Sequence, residues 1–142
     1  EMIARLVGSE MCIRDSAIFV DGVTSNPSKD YKSFIESLGV LDGQGANINR
    51  LTTAAVGISA EGGEFMEIVK KMVFQGKPWN DDNREHLIIE LGDVMWYVMQ
   101  ACMALDVTIE EVVAGNVEKL KKRYPGGDFD VYHSENRAAD DR

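Results

Sequence analysis

The chain has 142 residues, 44% hydrophobic and 27% charged, a balance typical of one soluble globular domain with a real core. Its 24 acidic residues against 15 Lys and Arg give a net charge of -9, which argues against binding to a nucleic acid polymer or to an anionic membrane surface. Two Cys and two His leave no disulfide framework and no Cys-based zinc site, so any bound metal is expected to be a hard cation held by oxygen.

The first predicted segment, residues 1–16, has neither helical nor strand periodicity. It resembles a translated sequencing adapter, and the chain begins with Glu1 rather than Met, so we expect a non-native segment at the start of a fragment. The charges of Glu10, Arg14 and Asp15 disfavour a signal peptide. An ordinary flexible N-terminus is the alternative, and residues 1–16 are excluded from the functional reasoning in either case.

From residue 17 onward the sequence predicts helices separated by short breaks. Asn26-Pro27 ends the first of them, and Ser28 is the expected N-cap of a helix that runs to about Leu38. Glycines then predict a loop over residues 39–49. Three further helices are predicted, each with its own cap or stop signal: 51–74 before Gly76-Lys-Pro-Trp-Asn80, 83–105 behind Asp81 or Asp82, and 109–124 behind the capping box Thr108-Ile-Glu-Glu111.

These elements predict an all-α fold, an antiparallel bundle of four to five helices over residues 17–127. Residues 128–142 form a polar tail that is expected to follow the surface. No apolar run approaches the roughly 18 residues that span a bilayer, so we expect a cytoplasmic protein without a membrane partner. The helix over 83–105 is apolar nearly all round, which predicts a homo-oligomer, either a dimer or a dimer of dimers.

Two acid pairs carry the functional signal, Glu61 with Glu64 and Glu90 with Asp93. A spacing of three places both members of a pair on one helix face. The pairs lie on consecutive helices, so an antiparallel hairpin can bring them opposite each other. At about 100° per residue, Glu61 falls inside an apolar stripe and Glu64 on its edge, whereas Glu67 points toward nearby lysines.

Unpaired carboxylates that face a core are costly, because even an incompletely compensated polar group costs about 1–3 kcal/mol. A divalent cation supplies the opposite charge and takes oxygen ligands. The sequence therefore predicts a metal site at Glu61, Glu64, Glu90 and Asp93. The alternative is that these acids touch water at the boundary of the core, or pair with Lys and Arg from elsewhere in the chain.

The chain resembles the MazG-like nucleoside triphosphate pyrophosphohydrolases over about residues 50–125. The likeness rests on Ala60-Glu-Gly-Gly-Glu64, Glu90-Leu-Gly-Asp93 and Asn116-Val-Glu-Lys119 with Arg123-Tyr-Pro125. Its flanking segments look most like phage-borne MazG proteins of marine bacteria. The resemblance implies an enzyme that uses Mg²⁺, with Mn²⁺ as a substitute, to split a nucleoside triphosphate into the monophosphate and pyrophosphate. Many relatives carry a Glu directly before the first motif Glu, where this chain has Ala60, so proton acceptance must fall to another acid.

The four acids suit that chemistry because metal ions neutralise phosphate oxygens and activate water for in-line attack on the α-phosphorus. Substrate contacts are expected from Tyr97, one turn beyond Asp93, and from one face of the last helix, formed by Asn116, Lys119 and Arg123. The basic residues would meet the terminal phosphates. They can equally complement the C-terminus of their helix. The preferred nucleotide is not fixed by the sequence.

Two other classes of protein share some of these features. A di-iron carboxylate bundle needs Glu-x-x-His on two helices, and neither His86 nor His133 lies three residues after a Glu. A non-catalytic helical interaction module explains the seven Met, which suit adaptable interfaces. It does not explain four inward-facing acids. The sequence therefore favours the metal-dependent hydrolase.

Overall fold

The structure is a computed structural model that describes residues 13–136. This range is helical and contains no strand, so the predicted all-α class is confirmed. The α-helices, with one 3-10 turn at Asn26–Ser28, are α1 Ile13–Val23, α2 Tyr31–Gly43, α3 Ile48–Gln75, α4 Asp81–Leu105, α5 Ile109–Arg123 and α6 Val131–Glu135. Helix α1 begins inside the segment that is expected to be non-native, and residues 1–12 lie outside the described range.

The chain divides into two compact units between residues 45 and 46. In the first, Lys29 Nζ donates a hydrogen bond to the Asp21 carbonyl, 2.8 Å away. The prediction that Ser28 caps the next helix is wrong. Ser28 lies in the 3-10 turn that starts at Asn26-Pro27 and bonds back to Ser25, and Asp30 caps α2 instead.

Helix α2 also runs through Gly43 rather than ending near Leu38. Gly39 lies inside the helix and Gly43 at its end, because glycine weakens a helix without excluding it. Gly45 lies in the predicted loop, with φ 91°. The connection between the two units is correspondingly short.

The second unit is built on the α3–α4 hairpin. Gly76 adopts the left-handed conformation (φ 72°) and ends α3, as expected for a helix C-terminus. The cap of α4 was predicted at Asp81 or Asp82 and is Asn80, whose side chain accepts the Asn83 N–H. The two aspartates instead occupy the first turn, where they complement the helix dipole.

The hairpin loop is fixed from inside by Asn83. This side chain is buried, and its Nδ2 donates to the Pro78 carbonyl at 2.7 Å. A buried amide that is satisfied in this way holds the loop to the first turn of α4. The start of α4 is therefore set relative to the end of α3, which determines the residues that face one another across the hairpin.

Few apolar side chains of the hairpin are buried. Ala54 and Ile68 of α3 and Cys102 of α4 form the buried apolar set. The opposite side of α4 exposes a continuous apolar face, formed by Ile88, Ile89, Leu91, Met95, Trp96, Met99 and Met103. At about 100° per residue these positions point away from the stripe that contacts α3. The single chain thus leaves a large apolar surface on this helix.

Among the described helices, α4 meets the length and composition requirements of a membrane span, which the sequence pattern did not predict. The core helix of a soluble protein meets the same requirements. Glu90 and Asp93 lie near the middle of α4, where charged side chains oppose insertion into a bilayer. Only 11% of the span-like window of α4 is buried within the chain.

The capping box predicted before α5 is confirmed, with reciprocal bonds between Thr108 and Glu111 of 3.1 and 2.7 Å. Helix α5 makes only a small contact with α4 and no comparable contact with α3. In the tail, Asp130 caps the short helix α6 by accepting the Tyr132 N–H, and it also pairs with His133.

Candidate metal and active site

Three acidic side chains converge across the hairpin. Glu61 and Glu64 project from α3 toward Glu90 of α4, and one carboxylate oxygen from each lies within 4.8 Å of the others. Glu90 is buried, with 6% of its surface exposed, Glu61 is half-buried and Glu64 is exposed. The antiparallel pairing of α3 and α4 thus brings together three of the four acids in the predicted site.

The fourth acid, Asp93, lies one turn beyond Glu90 and is exposed. Its carboxylate does not belong to the converging set of three. Its charge nevertheless acts on Glu61 and raises the pKa of that residue. Asp93 therefore lies at the rim of the acid cluster, which we define as Glu61, Glu64, Glu90 and Asp93.

The electrostatics of the acid cluster are unfavourable without a cation. Burial raises the pKa of Glu61 above its ordinary value, and the negative charges of Glu64, Asp93 and Glu90 raise it further. Desolvation and like charge both disfavour the ionised form. No Lys or Arg of the described chain forms an ion pair with these acids.

This donor set fits a hard divalent cation. Its ligand atoms are carboxylate oxygens, which magnesium prefers, and it has no sulfur donor that would favour a softer metal. The spacing of the three oxygens allows one ion to be shared among them after modest side-chain movement. The added charge would remove the repulsion that raises the pKa of Glu61.

Glu90 has a partner that the sequence pattern did not assign. His86 lies one turn earlier on α4, and its Nε2 is 2.9 Å from Glu90 Oε1. The i,i+4 spacing is visible in the sequence and is a usual distance for helical pairs. The same spacing is equally typical of a solvated His next to acids, so only the structure distinguishes the two.

Tyr97 is held against the backbone of α3. A Cβ placed on Gly57 would lie 2.1 Å from Tyr97 Cδ1, so the ring occupies the space that the missing side chain leaves. The edge of Tyr97 also meets Trp96, with ring centroids 4.8 Å apart. One face of Tyr97 is therefore taken by packing, which limits the predicted contact with a nucleobase to the remaining exposed part of the ring.

Beyond Tyr97, a polar contact joins the two helices. Arg50 Nη1 donates to Gln100 Oε1 at 2.9 Å and also lies 3.2 Å from Met103 Sδ. At about 100° per residue, Gln100 falls on the same side of α4 as Glu90 and Asp93, but this periodicity indicates no partner for it. Helical spacing predicts contacts only between residues close in sequence, and Arg50 lies fifty residues before Gln100.

The predicted substrate residues of α5 are not brought to the acid cluster by helix packing within one chain. Asn116 is exposed and Lys119 half-buried, and neither makes a hydrogen bond or ion pair within the described residues. Arg123 is half-buried. Asn116, Lys119 and Arg123 belong to one continuous helix, so their spacing places them on one face of α5. This helix has only its small contact with α4.

The chain is similar in sequence to known proteins. A family model described as the MazG nucleotide pyrophosphohydrolase domain matches residues 50–127, a range that contains the whole acid cluster and α5. The "Gene 37 protein" of Mycobacterium phage L5 is 39% identical over 83 residues, which are 57% of this chain and 72% of the relative. No solved structure matches the chain. The resemblance to proteins from phages of marine bacteria stays a prediction.

Proposed function

The chain belongs to the MazG nucleotide pyrophosphohydrolase family, and from this premise we propose that it hydrolyses nucleoside triphosphates to the monophosphate and pyrophosphate with magnesium as cofactor. Metal dependence is general in the family. The observation that carries the proposal is the convergence of Glu61, Glu64 and Glu90 within 4.8 Å without a Lys or Arg partner within the described residues. A triphosphate is strongly anionic, so an acidic site can hold it only through cations.

In the proposed reaction, Glu61, Glu64 and Glu90 would hold magnesium, and Asp93 would complete the site from its rim. The bound metal would neutralise phosphate oxygens and lower the pKa of a water molecule. Because position 60 is Ala, proton acceptance from the attacking water falls to a member of the acid cluster. The helices contribute rigidity, and positioning contributes much of the rate in phosphoryl transfer.

We propose that Tyr97 contacts the base and that Asn116, Lys119 and Arg123 bind the phosphates away from the site of attack. The α5 residues share one helix face at spacings of three and four. Lys119 has no ion pair within the described residues, so its charge is available to a ligand. Because α5 packs little against the hairpin, its phosphate-binding face can be brought to an acid cluster by closure or by assembly.

We also propose that a second copy of the chain covers the exposed apolar face of α4, giving a homodimer or a homotetramer. The face carries Leu91, Met95 and Trp96, which flank the acid cluster on the same helix and suit a subunit interface. Light scattering of the purified protein tests this. A Leu91→Glu variant should dissociate, and a stable, active wild-type monomer would contradict the proposal.

The proposed reaction suits a protein of the cytoplasm, where nucleoside triphosphates are abundant. A non-catalytic helical module would account for the apolar face of α4. It would leave the acid cluster without a role. The two functions differ in their requirement for metal, and this difference can be measured.

The test of function is pyrophosphate release from a panel of canonical and modified nucleotides, with magnesium and with EDTA. We expect release that requires magnesium and is lost in Glu64→Gln. The matched control is Glu67→Gln, a change of the same kind one turn further along α3 and outside the acid cluster, and it should retain activity. Absence of hydrolysis of every nucleotide by the wild-type protein would overturn the proposal.

A further inference from the structure

The contact between His86 and Glu90 distinguishes Glu90 from the other acids of the cluster. Glu90 has 8% of its side chain exposed, whereas His86 has 51% exposed and reaches inward through Nε2 at 2.9 Å. Glu61, Glu64 and Asp93 make no side-chain hydrogen bond or ion pair within the described residues. The 2.9 Å separation lies within the range of an N–H···O hydrogen bond, and because an ionised carboxylate can only accept, such a bond requires the proton to be on Nε2 of His86.

We propose that His86 is a positioning residue, which holds the carboxylate of Glu90 in the orientation that places one of its oxygens near those of Glu61 and Glu64. This inference rests on the proposed function, because it assumes that these acids bind magnesium. Groups that donate hydrogen bonds to a metal-binding carboxylate fix its orientation, and their loss typically costs about 10- to 100-fold in metal affinity or activity.

The chemistry of the imidazole suits this task. A neutral ring donates one hydrogen bond and leaves the negative charge of the carboxylate available to a cation. A Lys or Arg at the same position would neutralise Glu90 and compete with the metal for it. The i,i+4 spacing on a single helix also keeps the contact independent of movements elsewhere in the chain.

The experiment is a calorimetric titration of the full chain with magnesium alone, without nucleotide. We expect His86→Ala to bind magnesium about 10- to 100-fold more weakly than the wild type. His86→Gln should recover part of that loss, because its amide nitrogen can donate to the same carboxylate. The control is His133→Ala, which removes the other His of the chain and its contact with Asp130, and its magnesium affinity should match the wild type.

Kinetics supply the second readout. In His86→Ala the magnesium concentration that gives half-maximal activity should rise, while kcat at saturating magnesium recovers most of the wild-type value. A change that merely weakened the fold would lower activity at every magnesium concentration. Circular dichroism of each variant measures whether the helices are retained, and the half-exposed position of His86 makes this the expected result.

The outcomes separate the two proposals. If the wild type binds no magnesium, both the proposed function and the role of His86 are overturned. If the wild type binds magnesium and His86→Ala binds it equally well, only the role of His86 is overturned. A His86→Gln variant that retains its helices but is as weak as His86→Ala also contradicts a positioning role, because its hydrogen-bond donor should restore part of the affinity.

Discussion

Helix α3 carries the same residue type on two faces with opposite electrostatic outcomes. On the outer face, Glu67 lies 3.0 Å from Lys71 and 4.0 Å from Lys70, and the hydrogen bond and charge of Lys71, with the charge of Lys70, lower its pKa. On the inner face, burial and neighbouring acids raise the pKa of Glu61. Fewer than two helix turns separate these two glutamates.

The difference shows what distinguishes an ordinary acid from a site residue in this protein. The outer face provides its own cations one turn away, so Glu67 is balanced within its helix. The inner face brings in further acids from α4 and no Lys or Arg, and we propose that a bound ion supplies the balancing charge. If this explanation holds, substitutions on the inner face, at its proposed partners on α5 and in its packing should each have effects that matched substitutions elsewhere lack.

The largest effect is expected from neutralising an acid of the inner face. Glu64→Gln or Asp93→Asn should reduce turnover by about 10³-fold or more, because metal catalysis contributes several kcal/mol and each 1.36 kcal/mol is tenfold in rate. Glu67→Gln should keep nearly full activity. Initial rates of pyrophosphate release measure all three, and an active Glu64→Gln variant would show that the inner face is not the site.

The next effect concerns the cations that the inner face lacks and α5 is proposed to supply. Lys119→Ala should reduce kcat/KM by about 10- to 100-fold, since a hydrogen bond to a charged group contributes about 1.5–3 kcal/mol. A rise in KM and a fall in kcat are both expected, because a phosphate contact binds and orients. Lys121→Ala is the control, because Lys121 already pairs with Glu118 at 2.9 Å. Equal kinetics for both variants would leave α5 with a structural role only.

A third effect tests the close packing of the inner face. Gly57→Ala should lower the free energy of unfolding by about 1–3 kcal/mol, the usual cost of overpacking, because the new Cβ meets the Tyr97 ring. Gly62→Ala, on the same helix, adds a Cβ that meets nothing within 4 Å, so it should instead be neutral or stabilising. Denaturant unfolding compares the two. In a double-mutant cycle, Tyr97→Ala should remove most of the cost of Gly57→Ala.

The smallest effect is a change in the melting temperature of the metal-free protein, which should have opposite signs in Glu61→Gln and Glu67→Gln. Glu61→Gln should raise the melting temperature at neutral pH, because it removes a charge that the folded state disfavours. Glu67→Gln should lower it slightly. The folded pKa of Glu67 lies below its ordinary value of 4.5, so its stabilising contribution is complete above that pH and is lost as the pH falls through the folded pKa. Melting curves of both variants across this range should diverge at neutral pH and, for Glu67→Gln, converge with the wild type in acid.

Local signals in the sequence predicted much of this structure. The capping box at Thr108 and Glu111, the break at Gly76 and the facing acids of α3 and α4 all follow from spacing within one or two helix turns. The structure departs from the prediction where several residues compete for one role. Asp30 and Asn80 are caps because the chain enters each helix at them, and neighbouring Ser28, Asp81 and Asp82 are equally suitable by residue type.

Contacts between distant residues were not predictable from the pattern. The packing of Tyr97 on Gly57 and the bond from Arg50 to Gln100 depend on the register of the hairpin, which the buried Asn83 helps to set. The exposed apolar face of α4 was foreseen as a surplus of apolar residues, but its direction away from α3 required the structure. Sequence therefore indicated which residues are chemically unusual, and the structure showed how they are arranged.

A metal site on the inner face of α3 is tested most directly by thermal unfolding of the initially metal-free protein as magnesium is added. The measurement compares the wild type, Glu64→Gln and Glu67→Gln. Binding to the folded state at 100 times Kd contributes about 2.7 kcal/mol, which corresponds to a rise in Tm of several degrees. We expect this rise for the wild type and for Glu67→Gln, and its loss in Glu64→Gln. An equal response of all three proteins, or no response in the wild type, would contradict a metal site on the inner face of α3.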